Sequence, residues 1–125
     1  MNTATIIFTI MVIMLALDSV YIYFTKSIFG QLVAKIQRTA LEFKILGAIV
    51  VYILLAVGLY VFIIEPCKSL WHAALLGLVI YGVFEFTNYA IFKKYDMSVV
   101  LMDTVWGTVL FALTTYIVRL IITKD

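Results

Sequence analysis

Charge is scarce in this sequence. Only 13% of the 125 residues are charged, whereas 66% are hydrophobic. Soluble domains are about a quarter charged and about half apolar. The net charge of +2 and the lack of a long basic run exclude an extended surface for nucleic acid. These proportions predict an integral membrane protein.

Cysteine and proline are nearly missing as well. The single cysteine, Cys67, excludes an internal disulfide and a cysteine-based metal cluster. The single proline, Pro66, lies in a short turn and breaks no apolar stretch. No phosphate-binding loop, nucleophile elbow or zinc motif occurs, so an enzyme is the less favoured class of protein. The first apolar stretch lacks a basic leader and a cleavage site, which predicts a retained span.

Long apolar runs are what the sequence has in abundance. A helix needs about 20 residues to cross the hydrocarbon core of a bilayer. Uninterrupted apolar runs of this length favour helices over barrel strands, because a helix satisfies its own backbone in lipid. We therefore predict an all-α fold in which residues 1–125 form a single transmembrane domain, a four-helix bundle. The predicted spans cover about 4–24, 45–64, 70–92 and 98–122.

The segment between the first two predicted spans has an amphipathic pattern. Over residues 26–43, apolar side chains such as Phe29, Leu32 and Ile36 recur at helical spacing, and charged ones fall elsewhere on the wheel. This pattern predicts an additional helix lying in the membrane interface. Such a helix could serve as a lid, as a surface for anionic lipid, or only as a connector.

The positions of the basic residues predict the orientation. Positively charged loops favour the cytoplasmic side. Six of the nine lysines and arginines flank the first-to-second and third-to-fourth connections, which places both termini on the non-cytoplasmic side. These six are Lys26, Lys35, Arg38, Lys44, Lys93 and Lys94.

Three acidic residues fall within the predicted spans: Asp18, Glu85 and Asp103. Each lies seven or eight residues from the nearest charge at the predicted cytoplasmic edge. At 1.5 Å per residue, all three reach about 10–12 Å inside that edge. Their equal depth predicts one shared buried site formed by separate helices.

Polar and small residues accompany these carboxylates at helical spacing. Hydroxyl, amide and indole groups can donate hydrogen bonds to carboxylates, and a glycine lets a neighbouring helix approach closely. We predict Asn88 as a further ligand-binding residue. The predicted supporting residues are Tyr21, Tyr52, Tyr81, Thr87, Trp106 and Gly107.

No lysine or arginine lies at the depth of the carboxylates. Two carboxylates about 5 Å apart repel by about 3 kcal/mol even at an effective dielectric constant of 20. Three ionised groups in one dry pocket are therefore untenable, and the site would share protons or admit water or a cation. An oxygen-only site suits a hard cation such as Na, Mg, Ca or Mn, with Asp18, Glu85 and Asp103 as metal ligands.

The acidic site leaves several functions open. The first hypothesis is that the protein binds or moves a cation or protons, because ionisable residues inside membranes usually mark function. Four spans leave no wide pore in one copy, so transport would need a homo-oligomer. The alternatives are a lipid-binding or lipid-modifying accessory protein, and a structural protein whose protonated carboxyl groups join its helices.

Three segments carry a resemblance to a known family. They are "LDSVY" (17–21), "YGVFEFTNY" (81–89) and "LMDTVWGT" (101–108), which resemble the signatures of domain-of-unknown-function family 2177. The resemblance implies a small four-span membrane protein and supplies no activity. Such proteins are often encoded beside fatty-acid-modifying enzymes, which implies a link to lipid metabolism. The matching positions are Asp18, Thr87, Asn88, Asp103, Trp106 and Gly107; Tyr21 stands where the family tends to have Trp, and Glu85 where it tends to have Asp.

Overall fold

The computed structural model describes residues 2–37 and 44–123, and these form a bundle of long helices. Each helix is long and apolar enough to cross a bilayer, the second together with a π-helical turn at its end. The predicted all-helical fold is thus confirmed for the described residues, with four candidate membrane spans. The helices are α1 (Thr3–Gln37), α2 (Ile45–Leu59, followed by the π-helical turn Tyr60–Ile64), α3 (Leu70–Ile91) and α4 (Met97–Thr123).

α1 continues far beyond the end of the first predicted span. Its helix runs unbroken to Gln37, so residues 26–37 extend α1. The separate interfacial helix predicted for residues 26–43 is therefore not confirmed, and residues 38–43 lie outside the described part of the chain. No proline interrupts the extension, and its glycine, Gly30, costs a helix only about 1 kcal/mol. The amphipathic pattern therefore belongs to the continuation of α1, one side of which is covered.

Two contacts hold the extended end of α1. Leu32 is buried, with 3% of its surface exposed. The ammonium of Lys35 lies 3.0 Å from a carboxylate oxygen of Asp96, just before α4. Both partners of this ion pair are nearly half exposed, and exposed pairs contribute at most about 1 kcal/mol. The ion pair therefore positions the end of α1 more than it stabilises the fold.

α4 is the most buried of the helices and packs against both α1 and α3. Lipid tails are as apolar as leucine, so helices in a bilayer associate through close packing rather than through the hydrophobic effect. Buried residues of α4 share one core with Ile10 and Met14 of α1 and with Leu55, Ala56 and Leu59 of α2. That core includes Leu110, Phe111 and Val118 of α4.

α3 and α4 approach most closely at two glycines. A Cβ atom added to Gly77 would stand 2.9 Å from the Cβ of Phe111 and nearer still to the carbonyl oxygen of Gly107. A Cβ added to Gly107 would stand 2.6 Å from the Cβ of Tyr81 and nearer still to its ring. Real Cβ atoms do not come so close, so this interface requires glycine at both positions.

The turn between α2 and α3 lies at the opposite end of the bundle from Asp96. Arg119 of α4 donates from its guanidinium to the backbone carbonyls of Ile63, at 3.4 Å, and of Lys68. These bonds attach α4 to the turn, and the carbonyl of Ile63 also accepts from the backbone N–H of Lys68. Cys67 lies in this turn as a free, exposed thiol.

Candidate ligand-binding pocket

Asp18 joins three helices through its carboxylate. Its Oδ1 accepts a hydrogen bond from the indole Nε1 of Trp106, on α4, at 2.8 Å. Its Oδ2 accepts a hydrogen bond from the hydroxyl of Tyr52, on α2. Each oxygen of Asp18 therefore accepts one hydrogen bond, and both donor groups have found an acceptor.

Tyr21, one helical turn after Asp18, connects that carboxylate to the next. Its hydroxyl donates to Oδ1 of Asp103 at 3.1 Å. Its ring stacks on Trp106, with the ring centroids 4.6 Å apart and the planes 3° from parallel. The stacked pair fixes the rotation of α1 against α4, and Asp18 and Asp103 then face the same side.

Glu85 is the most deeply buried charged residue of the site, with 2% of its surface exposed. Its Oε1 accepts a hydrogen bond from the hydroxyl of Tyr95 at 2.6 Å, and Tyr95 accepts one from the amide of Asn88 at 3.5 Å. Tyr95 lies in the connection between α3 and α4. Burial first, and then the hydrogen bond to Glu85, raises the pKa of Tyr95, so its phenol stays protonated and donates.

The carboxyl groups of Glu85 and Asp103 form a pair. Both side chains line the pocket, and the carboxyl of Asp103 is among the groups that interact with that of Glu85. An ionised carboxylate only accepts hydrogen bonds, so a bond between two carboxyl groups requires a proton on one of them. Adjacent carboxyl groups commonly share one proton in this way, because two like charges at such a distance repel. Ionisation of both carboxyl groups at once is therefore unfavourable here.

α1 separates from α3 beside this pair. From Tyr21 to Lys35, α1 rises roughly 21 Å, whereas the chain from Asp103 back to Asp96 rises only about 10 Å. Tyr21 nevertheless contacts Asp103, and Lys35 contacts Asp96. Over this section α1 is thus longer than the part of the chain that it contacts in and just before α4. The extra length of α1 borders a gap in front of α3.

A pocket of about 630 Å³ fills this gap between α1, α3 and the α3–α4 connection. Its volume lies within the range of about 300–1,000 Å³ that is typical of small-molecule sites. Phe84 and Phe92 on its wall are 53% and 41% exposed, so the pocket is open to its surroundings. Polar groups line one end, and the rest of the wall is mainly apolar: Ile22, Phe29, Leu32, Val33, Ile36, Phe84 and Phe92.

The structure places all three predicted carboxylates, those of Asp18, Glu85 and Asp103, on this pocket. It does not arrange them as metal ligands. In the described parts of the chain, no group of three or more His, Cys, Asp and Glu side chains is positioned to hold a metal ion. Both oxygens of Asp18 already accept hydrogen bonds from protein donors. This geometry argues against the predicted metal site.

The predicted supporting residues divide into three groups. Asn88, Tyr21 and Tyr81 line the pocket. Tyr52, Trp106 and Gly107 hold the lining residues from behind, through the contacts described above. Thr87 is exposed and does not line this pocket, so its supporting role stays a prediction. The reason is helical spacing: Asn88 shares a face with Glu85, whereas a residue two positions after Glu85 points to the other side.

Sequence reasoning missed three polar residues of the pocket lining, Lys26, Gln37 and Tyr95. Lys26 lies eight residues after Asp18 and therefore on the same face of α1, a signal that was present in the spacing. Tyr95 had no such signal. It follows Glu85 by ten residues, and only the reversal of the chain after α3 brings its hydroxyl back to that carboxylate.

The three signature segments can be compared with those of known proteins. Two of these segments supply the carboxyl groups of the pair described above. A family model described as a predicted membrane protein (DUF2177) matches residues 3–120. The chain belongs to this family. The match covers α1, α2 and α3 and most of α4, and it confirms the predicted resemblance. In this DUF2177 protein, the signature residues Asp18 and Asp103 both reach the pocket. No curated protein matches the chain, and no solved structure does.

Proposed function

We propose that this DUF2177 protein binds an amphiphilic molecule, a lipid, in the pocket between α1 and α3. The observation that carries the proposal is the division of the pocket into a carboxyl end and a mainly apolar wall. Membrane lipids have the same division into a polar head and an apolar chain. Four apolar helices long enough to cross a bilayer support a lipid environment, and the partly exposed Phe84 and Phe92 would give a lipid a way into the pocket.

Proton handling by the same carboxyl groups is a second candidate. The neighbouring carboxyl groups of Glu85 and Asp103 favour it, since neighbouring carboxyl groups can exchange a proton. Tyr95 would connect this pair to the end of the bundle. Four helices leave no wide path through one copy, so transport would require a homo-oligomer. A hard cation is the less favoured form of this proposal, because the carboxylates do not converge as ligands.

Filling the pocket is expected to remove the bound lipid. Val33→Trp would place an indole inside the cavity, because Val33 lines it. Val105→Trp is the matched control, since Val105 is 61% exposed on α4 and does not line the pocket. We expect native mass spectrometry of gently extracted protein to show at least a tenfold loss of lipid, about 1.4 kcal/mol, in Val33→Trp alone. Equal lipid retention by the two variants would contradict the proposed site.

We also propose that both termini lie on the non-cytoplasmic side. The excess of lysine and arginine around the α1–α2 and α3–α4 connections supports this orientation. The turn that contains Cys67 would then lie on the same side as the termini, because Thr3 contacts Tyr60, just before that turn.

Cysteine labelling tests this orientation with the native thiol. In intact cells, a membrane-impermeant maleimide is expected to label Cys67, which is free and exposed. The double variant Cys67→Ser/Ser98→Cys moves the thiol to the exposed start of α4 and is expected to react only after the membrane is permeabilised. The reverse pattern would show that the orientation is opposite.

A further inference from the structure

The end of α1, residues 26–37, faces the pocket with its apolar side. Phe29, Val33 and Ile36 line the cavity from α1, and Phe84 and Asn88 of α3 line it from the opposite side. α1 packs mainly against α4 and α2, and the cavity separates its end from α3. A segment with few packed neighbours opens at a low free-energy cost. The end of α1 is therefore the part of the pocket wall that can move.

Asp96 holds this end of α1 from a firmly placed position. Its backbone carbonyl accepts hydrogen bonds from the N–H groups of Val99 and Val100, both at 3.2 Å. The residue before it, Tyr95, donates its hydroxyl to Glu85 at 2.6 Å. Asp96 is thus fixed to α4 on one side and to the pocket on the other.

The ion pair between Lys35 and Asp96 is, in contrast, a weak attachment. Its N–O distance is 3.0 Å, but the two side chains are 45% and 47% exposed. Water and salt screen a pair at such exposure, so it forms and breaks readily. The ion pair joins a movable helix end to a fixed point, which is the arrangement of a latch.

Gly30 lies between the start of this segment and the ion pair. A Cβ atom added there would meet nothing within 4 Å, so close packing does not explain this glycine, in contrast to the two glycines between α3 and α4. Glycine weakens a helix relative to alanine and leaves its backbone freer to bend. A bend at Gly30 would move Leu32 and Val33 together, away from α3.

We infer that residues 30–37 of α1 form a lid on the pocket, with Gly30 as its hinge and the Lys35–Asp96 ion pair as its latch. The closed lid narrows the gap between α1 and α3, and the open lid uncovers Leu32, which is 3% exposed in the closed state. Burial of Leu32 favours the closed lid, and the ion pair adjusts how often it opens. That the lid admits a lipid rests on the lipid-binding function proposed above; the movement itself does not.

Thiol reactivity measures how often the lid opens. The reporter is Leu32→Cys in a Cys67→Ser background, whose single thiol is buried under the closed lid and reached by a water-soluble maleimide when the lid is open. In nanodiscs, Lys35→Glu is expected to raise the labelling rate roughly threefold or more, because it opposes two like charges at the latch. Asp96→Lys is expected to do the same. The double variant Lys35→Glu/Asp96→Lys restores an ion pair and is expected to return the rate to within about a factor of two of the starting protein.

Two further variants distinguish a lid from a general loosening of the protein. Gly30→Ala is expected to lower the labelling rate roughly twofold or more, because alanine stiffens the hinge and its methyl group has room. Lys68→Glu reverses a charge at the other end of the bundle and is expected to leave the rate unchanged. A rate that Lys35→Glu does not raise, or that the double variant does not return, would overturn the inference.

A distance measurement repeats the test with Leu32 in place. Nitroxide labels on Gln31→Cys and Ser98→Cys, both exposed positions, are attached in the Cys67→Ser background. By double electron–electron resonance, the labels are expected to move apart in Lys35→Glu and to return in the double variant; an unchanged distance would overturn the inference. Neither measurement involves a lipid, so a failure of the lid leaves the lipid-binding function standing, and a failure of lipid binding leaves the lid standing.

Discussion

Replacing Gly107 by alanine is expected to disrupt the packing of α3 against α4, at a cost of at least about 3 kcal/mol, the upper part of the range for overpacked cores. The added methyl would overlap the side chain of Tyr81. Gly77→Ala is expected to behave similarly, because its methyl would overlap the backbone of Gly107. Backbone atoms cannot turn aside as a flexible side chain can. Unfolding in mixed micelles with increasing denaturing detergent measures both effects.

The same chain offers matched controls for this result. A Cβ at Gly82 would meet Cγ2 of Thr104 at 3.7 Å, an ordinary contact, and a Cβ at Gly58 would meet nothing within 4 Å. Alanine at these two positions is expected to change stability by less than about 1 kcal/mol, since alanine favours a helix over glycine by that amount. If Gly107→Ala proved as stable as Gly82→Ala, the close approach of α3 and α4 would be wrong.

Asp18→Leu is expected to destabilise the bundle by about 2–4 kcal/mol, because a hydrogen bond to a charged group contributes about 1.5–3 kcal/mol. The substitution leaves the indole N–H of Trp106 and the hydroxyl of Tyr52 without their acceptor. Neutral hydrogen bonds between membrane helices average less, about 0.6 kcal/mol, so the effect also reports whether this carboxylate is charged. The same unfolding titration measures it.

Double-mutant cycles give this prediction its control. In the Asp18→Leu background, Tyr52→Phe and Trp106→Phe are expected to cost much less than they do in the wild type, because their shared acceptor is already gone. Asp96→Asn removes an exposed partner of Lys35 and is expected to cost at most about 1 kcal/mol. An Asp18→Leu protein as stable as the wild type would show that this carboxylate does not hold the helices together.

The sequence predicts the four helices because a bilayer demands long apolar runs, and these are visible without any tertiary contact. The length of α1, in contrast, could not be predicted from the sequence. The amphipathic pattern of residues 26–37 fits a helix in the membrane interface as well as a continuation of the first span. The choice depends on Leu32 and Lys35 meeting distant parts of the chain, and helical spacing carries no information about such contacts.

The carboxyl site, too, could be predicted only in part from the sequence. A fixed rise per residue places Asp18, Glu85 and Asp103 at one depth, and the structure brings all three to one pocket. Depth does not fix the rotation of each helix or the partner of each oxygen. Sequence reasoning therefore could not distinguish Asp18, bonded to Trp106 and Tyr52, from the pair that faces the pocket. That distinction separates a carboxylate that joins helices from two that line the pocket beside it.

Lipid binding between α1 and α3 is tested most directly by finding where a bound lipid lies. A photo-activatable phosphatidylethanolamine with a diazirine in its acyl chain is incorporated into nanodiscs with the wild-type protein, and the crosslinked peptides are sequenced. The predicted result is crosslinking concentrated on Phe29, Val33 and Phe84, which line the pocket, and suppressed by Val33→Trp. Crosslinks spread evenly over outward-facing residues such as Leu46 and Leu54, which are 73% and 65% exposed, would contradict it.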